Sequence, residues 1–247
     1  MPEKNDLLDT AIDAHGGIVR WNQARQVVVR VAAGGLALKS RFQPRAFADV
    51  EATVSTSTPK VLFDPYPRNG QRGIFEGGAV AIIDREGLLI EERKHPREGF
   101  RGLRRTVYWD TLDTLYFGGY ALWNYLNLPF LLRRPGVVVA EIDPWTEEGR
   151  RLRRLHATFP ADIPTHSQEQ IFYLDSSGLI VRHDYTADVF GRWAKAAHYS
   201  WDHRKVDGLV IPLRRKAYPR LSSGRPLRYI TLVSLKIDTV RILEDEP

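Results

Sequence analysis

A helical repeat of apolar residues dominates the middle of the chain. Large or small apolar side chains recur there at steps of three and four: Trp109, Leu112, Tyr116, Gly119, Trp123, Leu126 and Phe130. This spacing traces one helix face, and Tyr108, Leu115 and Leu122 add a second one. A helix that is apolar on both faces must be buried on several sides. The pattern predicts an aromatic helical plug over about 107–132, bent or split at Gly118-Gly119 and ended or kinked by Pro129.

Most of the remaining chain alternates as β-strands do. Turn sequences such as Asp175–Gly178 and Asp207-Gly208 separate the strands of the C-terminal third, which predicts an antiparallel meander over 150–243. Before the plug, a helix is predicted over 6–17, stopped by Gly16-Gly17, and residues 26–33 form a strand. We expect Leu36 to Phe42 to return as the next strand. No repeat or linker divides residues 1–247, so the pattern predicts one mainly β (α+β) domain, a large curved antiparallel sheet with helices against its concave face.

The strand 179–186 places a histidine on the inner face of this sheet. Side chains alternate between faces, so Leu179, Val181, His183 and Tyr185 share the more apolar face. His183 should therefore point toward the core or a cavity. Its neighbour Asp184 should point away from it, which excludes a base and orienting carboxylate formed by these two residues.

Turn lengths predict which residues face one another across the neighbouring strands. A four-residue loop at 175–178 pairs Phe172 with Val181, Gln170 with His183 and Gln168 with Tyr185. A symmetric loop over 187–194 pairs Thr186 with Lys195 and His183 with His198. The inner face would then hold a polar island of Gln170, His183 and His198, flanked by Phe172, Val181 and Tyr185. His166 begins a strand and could reach the rim of a cavity.

The polar island and the aromatic run each allow more than one interpretation. The island can be an internal hydrogen-bond network, a set of groups that orient an apolar ligand, or an acid–base site. The aromatic side chains can fill the space under the sheet or line a pocket. The candidate catalytic residues are His183, His198 and Tyr185. The candidate ligand-binding residues are Trp109, Tyr116, Tyr120, Trp123, Gln170, Phe172, His183, Tyr185 and His198.

Composition narrows the possible partners. The chain has no cysteine, which excludes disulfides and thiolate metal sites, and no metal-binding or cofactor motif accompanies its histidines. The net charge of +6 can attract anions, but no nucleic-acid recognition motif is present, so we predict no specific nucleic-acid binding. No apolar run is long enough for a transmembrane segment. The N-terminus lacks the apolar region of a secretory signal, so a cytoplasmic location is expected.

Two stretches resemble the LolA-like superfamily. Residues 11–21, Ala-Ile-Asp-Ala-His-Gly-Gly-Ile-Val-Arg-Trp, are similar to the helix, Gly-Gly and Trp opening of many such proteins. The segments Phe159-Pro160, Phe172–Ile180 and Arg182–Tyr185 resemble the meander of the same group. The resemblance implies a half-open β-barrel with helices covering its concave side. Secreted members of this superfamily carry lipids or lipoproteins in the apolar hollow, and the resemblance assigns no catalytic residue.

Three hypotheses for function follow. The first is a protein that binds a hydrophobic or amphipathic small molecule between sheet and plug, with arginines at the mouth favouring an anionic head group. The second is a small-molecule isomerase, cyclase or lyase in which His183 or His198 acts as acid–base and Tyr185 or Tyr199 donates a hydrogen bond. The third is an interaction module with a filled interior and no ligand. The sequence does not predict the oligomeric state.

Overall fold

The computed structural model describes residues 6–102 and 106–244. The α-helices whose bounds are described are α1 (Asp6–Ala14), α2 (Ile18–Gln23), α3 (Leu36–Lys39) and α4 (Thr111–Asn127). Two short 3₁₀-helices cover Pro96–Arg101 and Phe130–Arg133. The described strands are β1 (Ala24–Gly34), β2 (Val50–Ser55), β3 (Lys60–Asp64), β4 (Gln71–Glu76), β5 (Ala79–Asp84), β6 (Leu89–Arg93), β7 (Val138–Glu147), β8 (Arg150–Thr158), β9 (Glu169–Leu174), β10 (Ile180–Thr186), β11 (Lys195–Val206), β12 (Leu209–Pro219) and β13 (Val233–Glu244).

All of these strands form one antiparallel sheet. Their order is β6-β5-β4-β3-β2-β1-β13-β12-β11-β10-β9-β8-β7, so two meanders meet where β1 pairs with β13. The sheet does not close on itself, and its concave side holds α4. The predicted mainly β class, with a curved antiparallel sheet forming a half-open barrel plugged by helices, is confirmed. The meander predicted over 150–243 corresponds to β8–β13.

The helix α4 begins at a capping box. The Asp110 carboxylate accepts a hydrogen bond from the Asp113 backbone N–H at 2.8 Å, and the Asp113 carboxylate accepts one from the Asp110 N–H at 3.4 Å. Arg93 of β6 contacts both carboxylates and ties the start of the helix to the sheet. The helix ends at Asn127, two residues before Pro129, so the plug predicted over 107–132 is shorter than expected and is followed by a 3₁₀ turn.

Gly118 and Gly119 do not bend or split α4, which is continuous across them. That prediction is wrong because the two glycines allow the helix to pack closely against neighbouring aromatic side chains. A Cβ on Gly118 would overlap the ring of Phe47, and a Cβ on Gly119 would overlap the Cβ and Cγ of Phe75 on β4. Glycine here lets the helix lie directly on the sheet.

Two further predictions on local structure are corrected. Residues 36–42 do not return as a strand: α3 covers Leu36–Lys39 and the sheet continues only at Val50. The predicted N-terminal helix over 6–17 ends at Ala14, because Gly16 and Gly17 have positive φ, and a second helix, α2, follows. Trp21 of α2 is buried and stacks on Phe130 at 4.2 Å between ring centroids.

No helix in the described ranges combines the length and apolar character that crossing a bilayer would require.

Candidate functional site

The structure brings the predicted polar residues together under α4. His183 lies opposite His198 and Thr186 opposite Lys195, as the loop over 187–194 predicts. The predicted pairing of β10 with β9 is wrong by two residues, because His183 faces Phe172 and Tyr185 faces Gln170 in the structure. An irregularity between Ile180 and Arg182 causes part of this change. It also turns Ile180, rather than the predicted Val181, into the core. A shift of two residues keeps Gln170 and Phe172 on the inner face.

We name the buried polar residues between α4 and β9–β12 the inner polar cluster. Its members are Tyr120, Tyr125, His166, Gln170, His183, Tyr185, His198 and Arg215. The sequence predicts five of these as site residues. It places His166 at a rim, and it gives no site role to Tyr125 or Arg215. Arg215 follows from strand alternation, because it shares the inner face of β12 with Leu209, Ile211, Leu213 and Ala217.

His166 is the centre of the cluster. Its Nε2 lies 2.9 Å from the Tyr125 hydroxyl and its Nδ1 lies 3.3 Å from the Tyr120 hydroxyl. Its ring stacks on Tyr185 with 3.9 Å between centroids. The Tyr125 and Tyr185 hydroxyls are 3.3 Å apart, and the Tyr185 hydroxyl lies 3.3 Å from Nδ1 of His198. A neutral imidazole has one donor and one acceptor. Every ring nitrogen and hydroxyl in this row therefore has a partner when all of the hydrogen bonds run in the same direction.

His183 and Arg215 complete the cluster from the sheet side. His183 Nε2 contacts Oε1 of Gln170, whose amide donates to the Ser167 carbonyl at 2.7 Å. The His183 ring stacks on Phe172 at 4.4 Å. Arg215 donates to the Ser200 hydroxyl at 3.0 Å and to the Tyr125 carbonyl at 2.8 Å. His183 Nδ1 and Arg215 Nε are buried and have no hydrogen-bond partner among the residues that the structure describes.

Burial keeps the cluster histidines uncharged. It lowers the pKa of His166 to about 3, with Arg97 adding to the shift. Burial, with nearby His166 and Arg215, holds the pKa of His183 well below its usual range. The pKa of His198 is also lowered, mainly by burial and then by Arg215. Burial raises the pKa of Tyr125 to about 12. The cluster is thus a network of neutral rings and hydroxyls around one buried guanidinium.

Acidification is expected to destabilise the fold between about pH 6.5 and 5. Four buried histidines have folded-state pKa values below the ordinary 6.5: His15, His166, His183 and His198. In this window the unfolded chain binds protons that the folded chain excludes, so each histidine costs up to about 1.4 kcal/mol per pH unit as the pH falls. Urea unfolding across this range measures the slope.

The histidine replacements provide the control for this effect. His198→Gln should reduce the slope of the unfolding free energy against pH, because about one proton fewer is taken up on unfolding. His156→Gln is the matched histidine replacement outside the cluster, because His156 lies at the surface beside Glu169. A stability that stays constant between these pH values would contradict the prediction.

The predicted aromatic residues lie around the cluster. Trp109, Tyr120 and Trp123 are fully buried, and Tyr116 is 2% exposed. The indole N–H of Trp123 donates to the Ser55 carbonyl at 3.1 Å, and Trp109 packs against Phe190 at 4.7 Å. A small, partly open pocket of about 40 Å³ lies between α4 and strands β1, β3 and β13, bordered by Phe47, Phe63 and Phe117 among others.

An open groove of about 990 Å³ lies beside the cluster. Three segments form its walls, residues 94–101, 160–169 and 186–192. Tyr116 is the one predicted ligand-binding residue among its lining residues. Arg97 connects the walls, since it donates to the Thr165 carbonyl at 2.8 Å and to the Tyr116 hydroxyl at 3.4 Å and lies 3.3 Å from Asp188. Thr165 and Ser167 line the groove, and Gln170 of the cluster bonds to Ser167 behind them.

The groove offers both apolar and charged surface. Its apolar lining includes Phe100, Tyr116, Ile163 and Val189. Its charged lining comprises the bases Lys94, Arg97, Arg101 and Arg192 and the acids Glu98, Asp162, Glu169 and Asp188. Burial raises the pKa of Asp188 although Arg97 opposes this shift. These features suit a molecule with an apolar part and a polar head group.

The outer face of β10 holds a second buried group that the sequence does not predict. Arg182 and Asp184 point away from His183, as expected, yet they are 0% and 2% exposed. Two hydrogen bonds of 2.8 Å join the guanidinium to the carboxylate. Arg182 also donates to Glu147 at 3.2 Å and to the Gly224 carbonyl at 2.6 Å. Tyr199, an expected catalytic donor, lies on this face and donates to Glu147 at 2.6 Å.

The arrangement gives no metal site within the described chain, where no group of three or more histidine or carboxylate side chains is placed to hold an ion.

Comparison with solved structures defines the fold class. A LolA superfamily protein of Nitrosomonas europaea superposes with a TM-score of 0.52 at 11% identity, over 98% of this chain and 94% of the other. A putative outer membrane lipoprotein-sorting protein domain of Vibrio parahaemolyticus gives 0.54 at 8% identity, over 98% and 93%. A DUF1329 family protein of Desulfovibrio piger gives 0.53 at 11% identity, over 96% and 92%.

The chain therefore has a LolA-like fold, which confirms the resemblance seen in the sequence. These identities show the fold alone. The sequence matches no protein-family model and no curated protein.

Proposed function

We propose that this protein binds an amphipathic small molecule in the groove beside α4. The observation that carries the proposal is the open volume of about 990 Å³, bounded by apolar side chains and arginines. This volume is at the upper end of the range for small-molecule sites. The same fold in a putative outer membrane lipoprotein-sorting protein domain supports an apolar ligand.

The groove, rather than the space directly under α4, is the binding site in this proposal. The sequence analysis places the ligand between sheet and plug, where Trp109, Tyr120 and Trp123 are already buried. A ligand there would have to displace a packed helix, whereas the groove needs no such movement. Tyr116 belongs to both regions, so the deepest part of the ligand would contact α4 at this residue.

The polar head group would lie near Arg97 and Arg101 in this arrangement. Four bases and four acids line the groove, so its charge does not exclude a zwitterionic head group. Two of the acids are already engaged, because Asp188 lies 3.3 Å from Arg97 and Glu169 lies 2.6 Å from His156. The ion pair with Asp188 occupies part of the Arg97 guanidinium, and Arg101 and Arg192 add positive charge that favours a negatively charged oxygen in the ligand.

Fluorescence titration with cis-parinaric acid, a fluorescent fatty acid, tests the proposal. Phe100→Ala removes an apolar wall, and Arg97→Gln removes the central cation. Each is expected to weaken binding about tenfold, which corresponds to the loss of one good contact. Titration with a long-chain alkylamine should give weaker binding than the fatty acid.

Matched controls keep this result specific. Tyr229→Ala replaces an aromatic residue that is 81% exposed, and Arg204→Gln replaces an exposed arginine; neither residue lines the groove. Both controls should bind like the wild type. Native mass spectrometry of the freshly purified protein should show a retained ligand. A chain that carries no ligand and binds neither fatty acid nor alkylamine would overturn the proposal.

A further inference from the structure

Four large apolar side chains are exposed on three neighbouring segments, and we name them the rim patch. They are Phe42 at 69%, Val107 at 61%, Tyr108 at 45% and Trp193 at 71% exposed. The rings of Phe42 and Tyr108 lie 6.2 Å apart. Arg41 connects the first segment with the third, because its guanidinium lies 4.6 Å from the ring centroid of Phe190 on the loop that also holds Trp193.

Phe42 occupies a backbone position that favours glycine. Helix α3 ends in two hydrogen bonds, from Phe42 N–H to the Lys39 carbonyl at 3.2 Å and from Gln43 N–H to the Leu38 carbonyl at 3.0 Å. This is the Schellman arrangement, in which the residue at the position of Phe42 has positive φ, here 63°. A bulky side chain is strained there, and Phe42 gains little burial in return. The strain and the exposure together indicate that the Phe42 ring has a role at the surface rather than in the folded core.

Cationic side chains accompany two of the three segments of the rim patch. Residues 36–45 contain Lys39, Arg41 and Arg45, residues 190–195 contain Arg192 and Lys195, and neither segment contains a carboxylate. Within the described chain none of these five cations forms an ion pair, although many other surface arginines do. Asp188 interacts with Arg192 and Asp110 follows Tyr108, so these five cations outnumber the two nearby carboxylates around the four apolar side chains.

We propose that the rim patch docks on an anionic phospholipid bilayer. Tryptophan and tyrosine favour the membrane–water interface, where their rings lie at the level of the head groups. Arginine and lysine beside them are attracted to the negative surface potential of anionic lipids. An apolar cluster with basic neighbours supplies both of the contributions that a peripheral protein needs for reversible binding.

Docking would also bring the groove toward the lipid. The loop that holds Trp193 contributes Val189 and Arg192 to the groove lining. An amphipathic molecule could then pass between bilayer and groove without crossing open water. This link rests on the proposed function, whereas docking itself depends only on the rim patch.

Vesicle sedimentation tests docking. The wild type should bind vesicles of phosphatidylcholine and phosphatidylglycerol in equal parts, and bind pure phosphatidylcholine far less. Phe42→Gly and Trp193→Ala should each lower the partition coefficient about fivefold or more, and Arg45→Gln about fivefold. High salt should weaken binding because the charges are exposed.

Three measurements separate docking from other effects. Phe42→Gly should raise the melting temperature by about 2–4 °C, since it relieves the strain at φ 63°, so its weaker docking cannot reflect unfolding. Val19→Ala removes a side chain that is 74% exposed on α2, which precedes the first residue of β1 whereas Phe42 follows the last, and this variant should bind like the wild type. Phe100→Ala should lose groove ligand yet keep vesicle binding.

Equal binding of the wild type to both kinds of vesicle, or wild-type binding by a Phe42→Gly, Trp193→Ala double variant, would overturn the proposal.

Discussion

Replacing Arg182 by methionine is expected to lower the free energy of unfolding by about 4 kcal/mol. The guanidinium has no exposed surface and lies between the rings of Tyr173 and Tyr199, at 4.5 and 5.4 Å from their centroids. Its removal would leave the buried Asp184 carboxylate without its bidentate partner. Arg220 would still lie 3.4 Å from that carboxylate and Tyr173 would still donate to it at 2.9 Å, but neither replaces the two hydrogen bonds that the guanidinium of Arg182 makes. Equilibrium urea unfolding measures the change.

Two further variants test whether the poorly compensated carboxylate of Asp184 is the cause. Replacing both members, by Arg182→Met with Asp184→Leu, removes this carboxylate and should recover a large part of the loss. The exposed pair of Arg153 and Glu141 has similar 2.8 Å geometry, and Arg153→Met there should cost less than about 1 kcal/mol. If Arg182→Met lowered the free energy of unfolding no more than Arg153→Met does, the buried pair of Arg182 and Asp184 would not matter to stability.

Gly119→Ala is expected to destabilise the protein by about 3 kcal/mol, although alanine is the better helix former. The added methyl group would overlap the Cβ and Cγ of Phe75. A Cβ moves only with its backbone, so either α4 or β4 must shift. The shift would disturb Tyr116, whose ring lies 6.0 Å from that of Phe75 and lines the groove. Thermal and urea unfolding give the stability, and the cis-parinaric acid titration gives the effect on the groove.

Gly118→Ala is the matched control on the same helix. Its methyl group would meet the ring end of Phe47, which can tilt, so the expected cost is smaller. Adding Phe47→Leu should relieve part of that cost. Helix propensity alone predicts that both alanine variants are more stable than the wild type by about 1 kcal/mol each. That result would show that close packing does not explain the two glycines.

The fold could be predicted from the sequence because its signals are local and repeated. Strand alternation and turn residues between 150 and 243 predict the meander, and the apolar spacing around Trp123 predicts a buried helix. The residues 36–42 were predicted incorrectly because a short helix of four residues has no periodic signal to separate it from a strand. The glycines of α4 were misinterpreted because a close contact between Gly119 and Phe75 is set by tertiary packing, which sequence spacing does not contain.

The candidate site could be predicted only in part. The pairing of His183 with His198 follows from loop symmetry, but the irregularity after Ile180 has no signal in the residue types. Arg182 and Asp184 belong to the polar face of β10, which suggests solvent, and their burial depends on a loop some 40 positions later that contributes Gly224. The groove lies between loops, whose positions alternation does not predict. The cytoplasmic location stays a prediction.

The pairing of β1 with β13 has a consequence for synthesis on the ribosome. Strand β1 ends by residue 34, and its central partner begins only at Val233, so the nascent chain must hold an unpaired edge while about 200 residues emerge. An open edge of Val27, Val28, Val29 and Val31 invites pairing between neighbouring copies. Completion of the last strand joins the two meanders, so a chaperone that covers this valine run until termination would raise the yield of native protein.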